Sequence, residues 1–163
     1  MPNVYEPDFD ERSDRNGFRW SAERVARKAG SEHLGASLYE LPPGQAMFPY
    51  HYHFGNEELL IVMRGRPHLR TRDGWRQLSE GDVAAFPVGE RGAHQLVNRS
   101  ETPVRVLMFS EMVGPDVVVY PDSRKVGARE RAPGSGPNGL RETFRSSDQV
   151  DYWEGEQPPE VPS

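Results

Sequence analysis

Two histidines separated by one residue, His51 and His53, most constrain what this chain can fold into. They open the run Pro49-Tyr50-His51-Tyr52-His53-Phe54-Gly55-Asn56-Glu57-Glu58, which passes into the apolar stretch Leu59-Leu60-Ile61-Val62-Met63 and stops at Gly65. In a strand, side chains alternate between the two faces, so His51 and His53 project to the same side. A carboxylate follows at Glu58 or Glu57. A third histidine, His94, opens another apolar segment behind the turns Gly81-Asp82 and Pro87-Val88-Gly89. Three neutral imidazoles and one carboxylate suit Mn, Fe, Co, Ni, Cu or Zn, whereas Mg and Ca prefer all-oxygen shells.

These residues carry a family resemblance. The chain resembles a small single-domain cupin, whose pattern has two halves, G-x5-HxH-x(3,4)-E-x6-G and G-x5-P-x-G-x2-H-x3-N. Gly44, His51, His53, Glu58 and Gly65 match the first half, and Gly81, Pro87, Gly89, His94 and Asn98 match the second. Two departures are visible: six residues rather than five precede His51 after Gly44, and four rather than two separate Gly89 from His94. Both lie in turns, so they alter loop shape more than ligand direction. The motif covers about a third of the chain and extends loosely over residues 35–120. Between the two acids, Glu58 keeps the motif's spacing to Gly65, and adjacent strand residues face opposite ways, so only one can point inward. The resemblance implies a metal held by His51, His53, Glu58 and His94, the cofactor being a divalent transition metal such as Zn, Mn, Fe or Ni.

The rest of the sequence agrees with an all-β chain. Short apolar segments separated by turns every eight to twelve residues, with no long helical period, argue for a sandwich or barrel. The fold expected is a cupin double-stranded β-helix, a jelly-roll barrel with extended N- and C-terminal arms. We divide the chain into an N-terminal arm (1–20), the barrel (21–125) and a C-terminal linker and docking tail (126–163). Residues 1–17 read as an extended polar arm, Ser21 as the cap of a short helix reaching Lys28, and Asp73-Gly74 as a hairpin turn. Val117-Val118-Val119-Tyr120 reads as an edge strand or one that pairs with a second subunit, since a flat apolar strand left unpaired is an association hazard. A homodimer is therefore expected. Residues 131–139 read as a low-complexity linker, and Leu140, Phe144, Val150, Tyr152 and Trp153 as an apolar cluster that must dock.

Composition excludes several functions. The net charge of −5 gives no reason to expect nucleic acid or an anionic membrane as a partner, and zero Cys rules out disulfides and thiolate metal sites. With no apolar run of membrane-spanning length and an acidic N-terminus unlike a signal peptide, a cytoplasmic protein with a small-molecule ligand or substrate is expected. The resemblance covers sugar isomerases and epimerases, lyases, dioxygenases and plain binding proteins, so two readings stand: a metal-dependent enzyme acting on a small polar molecule, or a non-catalytic binder of a carbohydrate or aromatic acid. No lysine lies between Ala29 and Arg124, which argues against Schiff-base chemistry in the barrel, and no residue stands out as the catalytic acid or base.

Overall fold

Turn residues set the length of nearly every strand in the computed structural model, which describes residues 1–130 and 139–159. Strands β1 (Glu11–Arg15) and β2 (Phe18–Glu23) fold back on each other at Asn16-Gly17. A single helical turn, α1 (Val25–Lys28), leads to β3 (Gly35–Leu41), which ends before Pro42-Pro43. Two-residue β4 (Tyr52–His53) precedes β5 (Glu58–Arg64). Gly65 ends β5 with φ +84°, a conformation that costs glycine nothing, and a Cβ there would come within 2.8 Å of Val104 Cγ1. The expected Asp73-Gly74 hairpin joins β6 (His68–Thr71) to β7 (Gly74–Gln77). Then come β8 (Val83–Phe86), β9 (Gln95–Val97), β10 (Val104–Ser110), β11 (Asp116–Tyr120), β12 (Lys125–Arg129) and β13 (Arg141–Arg145).

The strands form a six-stranded sheet in the order β1-β2-β3-β10-β5-β8, a four-stranded sheet β13-β12-β11-β4 and a three-stranded sheet β7-β6-β9. Bridges from His51 to His94 and from Ala46 to Val97 tie the two smaller sheets together across β4 and β9. Every named pairing is antiparallel, and the architecture is the all-β jelly roll. Its core is a continuous apolar cluster that includes Leu41, Leu60, Val62, Leu69, Phe86, Leu96, Val104 and Val106. Along β5, Leu60 and Val62 are buried on the inner face while Leu59, Ile61 and Met63 are half-covered on the outer one. That outer face is sheltered by a second cluster: Val25, Ala36, Leu38 and Leu107 are buried there, with Val4, Phe9, Met63 and Phe109 packed against them. The unbroken apolar run of β5 therefore has a packing reason on both sides. Among the described residues, no helix is long and apolar enough to cross a membrane.

Several expectations need correcting. Residues 11–15 form a paired strand rather than part of an extended polar arm, because the Asn16-Gly17 turn brings them against β2. Ser21 lies within β2, and the short helix starts after Arg24, without a side-chain cap. Val117–Tyr120 is neither an edge nor free for a second subunit: β12 lies on one side of β11 and β4 on the other, which removes the basis for expecting a homodimer. Ladders continue past both ends of the 21–125 barrel, through β1 on one side and through β12 and β13 on the other. Leu140, Phe144, Val150, Tyr152 and Trp153 do not dock and remain exposed. The expected linker falls largely on 131–138, outside the described residues.

Candidate metal centre

Three separate segments bring the candidate ligands to one place: the His51–His53 stretch, the start of β5 and the residue ahead of β9. His51 and His94 exchange backbone hydrogen bonds, His51 N to His94 O at 3.1 Å and His94 N to His51 O at 2.9 Å, so their side chains start from adjacent strands. His53 sits opposite Val118 of β11, and its carbonyl accepts from Gly89 N at 2.7 Å. Glu58 is the first residue of β5 and shares the inner face of Leu60 and Val62, while Glu57 is exposed. Ahead of His94, the 3-10 turn Glu90–Gly92 packs so tightly on the preceding loop that a Cβ on Gly92 would collide with the Pro87 carbonyl oxygen. Alternation then carries through the last ligand segment: His94, Leu96 and Asn98 are buried, whereas Gln95 and Val97 are half-covered.

Ligand atoms of His51, His53 and Glu58 lie within 4.8 Å of one another and form a group that could hold a metal ion. His94 Nε2 approaches Glu58 Oε2 at 3.5 Å, and His53 Nε2 approaches the same oxygen at 3.6 Å. The ring of His51 lies 4.7 Å from that of His94 and 5.1 Å from that of His53. All three Nδ1 atoms are already engaged. That of His51 meets the Pro49 carbonyl at 2.8 Å, that of His94 the Gly92 carbonyl at 2.9 Å, and that of His53 the Asp116 carboxylate at 2.6 Å. A carbonyl accepts and never donates, so His51 and His94 carry their proton on Nδ1 when neutral and present a lone pair on Nε2. Glu58 Oε2 and His94 Nε2 are buried and have no hydrogen-bond partner among the described residues. Orphaned buried polar atoms are costly unless something satisfies them, and here they converge.

Electrostatics hold the imidazoles ready. Burial, reinforced by neighbouring His94 and His53, pushes His51 well below its ordinary value, and burial takes His94 down to about 4. Both rings are therefore neutral at physiological pH, the state in which an imidazole binds a metal. Burial raises Glu58, against the opposing pull of His53. For Asp116 burial acts upward as well and is the largest single influence, but the hydrogen bond and charge of His53 together with hydrogen bonds from Gly55 and Asn56 outweigh it, and the carboxyl is held below its usual range. A donor set of three imidazoles and one carboxylate, with no thiolate in the chain, fits a divalent first-row transition ion.

Asp116 escaped the sequence reading. It is buried, its Oδ2 holds His53 and its Oδ1 accepts from Gly55 N at 2.9 Å. The available signal was the parity of Asp116, Val118 and Tyr120, which puts a carboxylate on the inward face of a strand otherwise built of β-branched residues. Aromatic walls complete the centre. Phe86 stacks on His94 at 3.8 Å, Phe48 meets His51 edge-on, and the Tyr120 ring lies nearly parallel to His51 at 6.0 Å, its hydroxyl accepting from Arg129 Nη2 at 2.9 Å. Two further polar residues lie elsewhere. His68 faces away from the core, because its neighbour Leu69 points into it. Asn98 donates to the carbonyls of Leu41 and Thr102, which makes it a loop anchor.

Residues 37–110, which contain all four candidate ligands, match the cupin domain family. No curated protein matches the chain in sequence. Solved structures with the same fold include a sugar phosphate isomerase of the cupin superfamily from Silicibacter pomeroyi, 24% identical at a TM-score of 0.76, covering 91% of this chain and 94% of that one. A candidate sugar phosphate isomerase from Acidithiobacillus ferrooxidans is also 24% identical, with a TM-score of 0.74 and coverage of 83% and 81%. A structure from Thermotoga maritima, named as a predicted oxalate decarboxylase, is 19% identical with a TM-score of 0.57, covering 69% of this chain and 99% of its own. At these identities the likeness establishes the fold. Taken with the jelly-roll topology, the domain match identifies residues 37–110 of this chain as a cupin domain.

Proposed function

We propose that the protein is a metal-dependent enzyme acting on a small polar molecule, with a divalent first-row transition ion held by His51, His53, Glu58 and His94. One observation supports this reading: every Nδ1 of the three imidazoles is engaged, while Glu58 Oε2 and His94 Nε2 are buried together without a partner among the described residues. An ion bound there would polarise a carbonyl or hydroxyl of the substrate, as isomerisation, epimerisation and elimination require. The surrounding residues have definable tasks. Asp116 fixes the ring of His53, and the Pro49 and Gly92 carbonyls fix the other two rings. Glu58 contributes the negative charge that offsets part of the cation's, and Phe86 and Phe48 keep water from one side. The sequence offered no evident group to handle a proton. Tyr120 supplies a candidate, a hydroxyl held by Arg129 on the ring that covers His51, where it can give or take a proton at a bound molecule. That hydroxyl favours an enzyme over a capture protein.

Elemental analysis of the purified protein and two variants tests the assignment. Wild type and Tyr120→Phe should each carry close to one first-row transition ion per chain, and His53→Ala should carry almost none. Equal metal content in wild type and His53→Ala refutes it.

A further inference from the structure

Positive charge is concentrated on the side of the four-stranded sheet that faces the centre. Directly opposed residues of an antiparallel ladder share a face. β11 sets Asp116, Val118 and Tyr120 opposite Arg129, Gly127 and Lys125, and β13 sets Arg141, Thr143 and Arg145 opposite the same three residues of β12. His53 stands opposite Val118, so this face is the one that carries His53. A Cβ on Gly127 would lie 3.5 Å from Thr143 Oγ1 and 3.7 Å from the Tyr120 ring, as that shared orientation requires. Lys125, Arg129, Arg141 and Arg145 thus stand in two ranks with the side-chain-free Gly127 between Lys125 and Arg129. Asp116 is the one carboxylate at these positions, and it is committed to His53 and Gly55. Arg129 and Lys125 are half-buried. Arg129 bonds the Tyr120 hydroxyl and Lys125 Nζ lies 5.3 Å from the centre of that ring, yet among the described residues neither forms an ion pair with a carboxylate. In a chain of net charge −5, a local excess of unpaired cations beside the centre calls for an anion from outside.

We propose that this face is a phosphate subsite: Arg129 and Lys125, backed by Arg141 and Arg145, bind the phosphate group of a substrate whose reacting end lies at the histidine centre. The inference rests on the reading of that centre as the place of reaction. A phosphate is chosen over a single carboxylate because more than one cation faces the position, and a dianion balances them better. The subsite lies beyond residues 37–110, outside the stretch that matches the cupin domain family.

Isothermal titration of the full-length, metal-stripped protein with inorganic phosphate tests the proposal, with acetate as the singly charged comparison. Saturable phosphate binding is expected, at least tenfold tighter than acetate, weakened tenfold or more by Arg129→Gln and threefold or more by Lys125→Gln. Arg129→Lys should retain most of it, and this variant decides the matter should Arg129→Gln melt out of the folded state. Absence of phosphate binding, equal affinity for acetate, or affinity unchanged by Arg129→Gln and Lys125→Gln overturns the proposal. Because no metal takes part, this result and the metal content of His53→Ala can fail separately.

Discussion

Asp116 decides which nitrogen of His53 is left for an ion, since its carboxylate holds Nδ1 at 2.6 Å. Partners of this kind typically contribute ten- to a hundredfold in metal affinity. We expect Asp116→Asn to weaken metal binding roughly 10- to 100-fold in competition with a chelator, and an unchanged affinity would contradict the role. At His94 the prediction concerns acid. Its ring is held at about 4 in the folded protein by burial, against 6.5 ordinarily. Between those values the unfolded chain binds the proton and the folded chain does not, so folding stability is lost as pH falls through this window. His51 acts with the same sign. The metal-stripped protein should melt progressively lower from pH 7 to 4.5, and His94→Gln should remove up to about 3 kcal/mol of that dependence. A denaturation series as steep in the variant as in the wild type would count against it.

Among the elements, the 3-10 turn before His94 is the least tolerant. Gly92→Ala forces a Cβ against the Pro87 carbonyl, which must displace either the turn or β8, so we expect a loss of about 2 kcal/mol or more in chemical denaturation together with reduced metal content. Full metal content at unchanged stability would show that the turn yields freely. The same scale shows why some of the molecule was legible in the sequence and some was not. His51, His53, Glu58 and His94 could be singled out because the HxH pair, the interval from Glu58 to Gly65 and that from His94 to Asn98 are local spacings, and alternation within a strand decides which face a side chain takes. Asp116, Tyr120 and Arg129 could not. They reach the centre through ladder pairings with β4 and between β11 and β12, and sequence spacing carries no record of which strands pair. Val117–Tyr120 was misread for the same reason: its β-prone residues predicted a strand correctly, but its two neighbours come from His53 and from residues 125–129.

For the molecule as a whole, the two ends behave differently although both read as polar arms. Val4 and Phe9 pack on the apolar cluster that covers the outer face of the large sheet, whereas every described residue from Gly139 to Pro159 is exposed. Burying parts of two such side chains stabilises by about 2–3 kcal/mol. Removing residues 1–10 should therefore lower the melting temperature by several degrees, and removing 146–163 should leave it nearly unchanged; the reverse order would contradict this account of the packing. The barrel exists, on our reading, to bring three imidazoles and a carboxylate from three segments of the chain to one ion. X-ray absorption at the zinc edge, on protein loaded with one equivalent of Zn(II), measures that convergence most directly. We predict outer-shell scattering from three imidazoles, falling by one ring in His94→Gln. A shell of oxygen alone, or an imidazole signal that His94→Gln leaves unchanged, would contradict it.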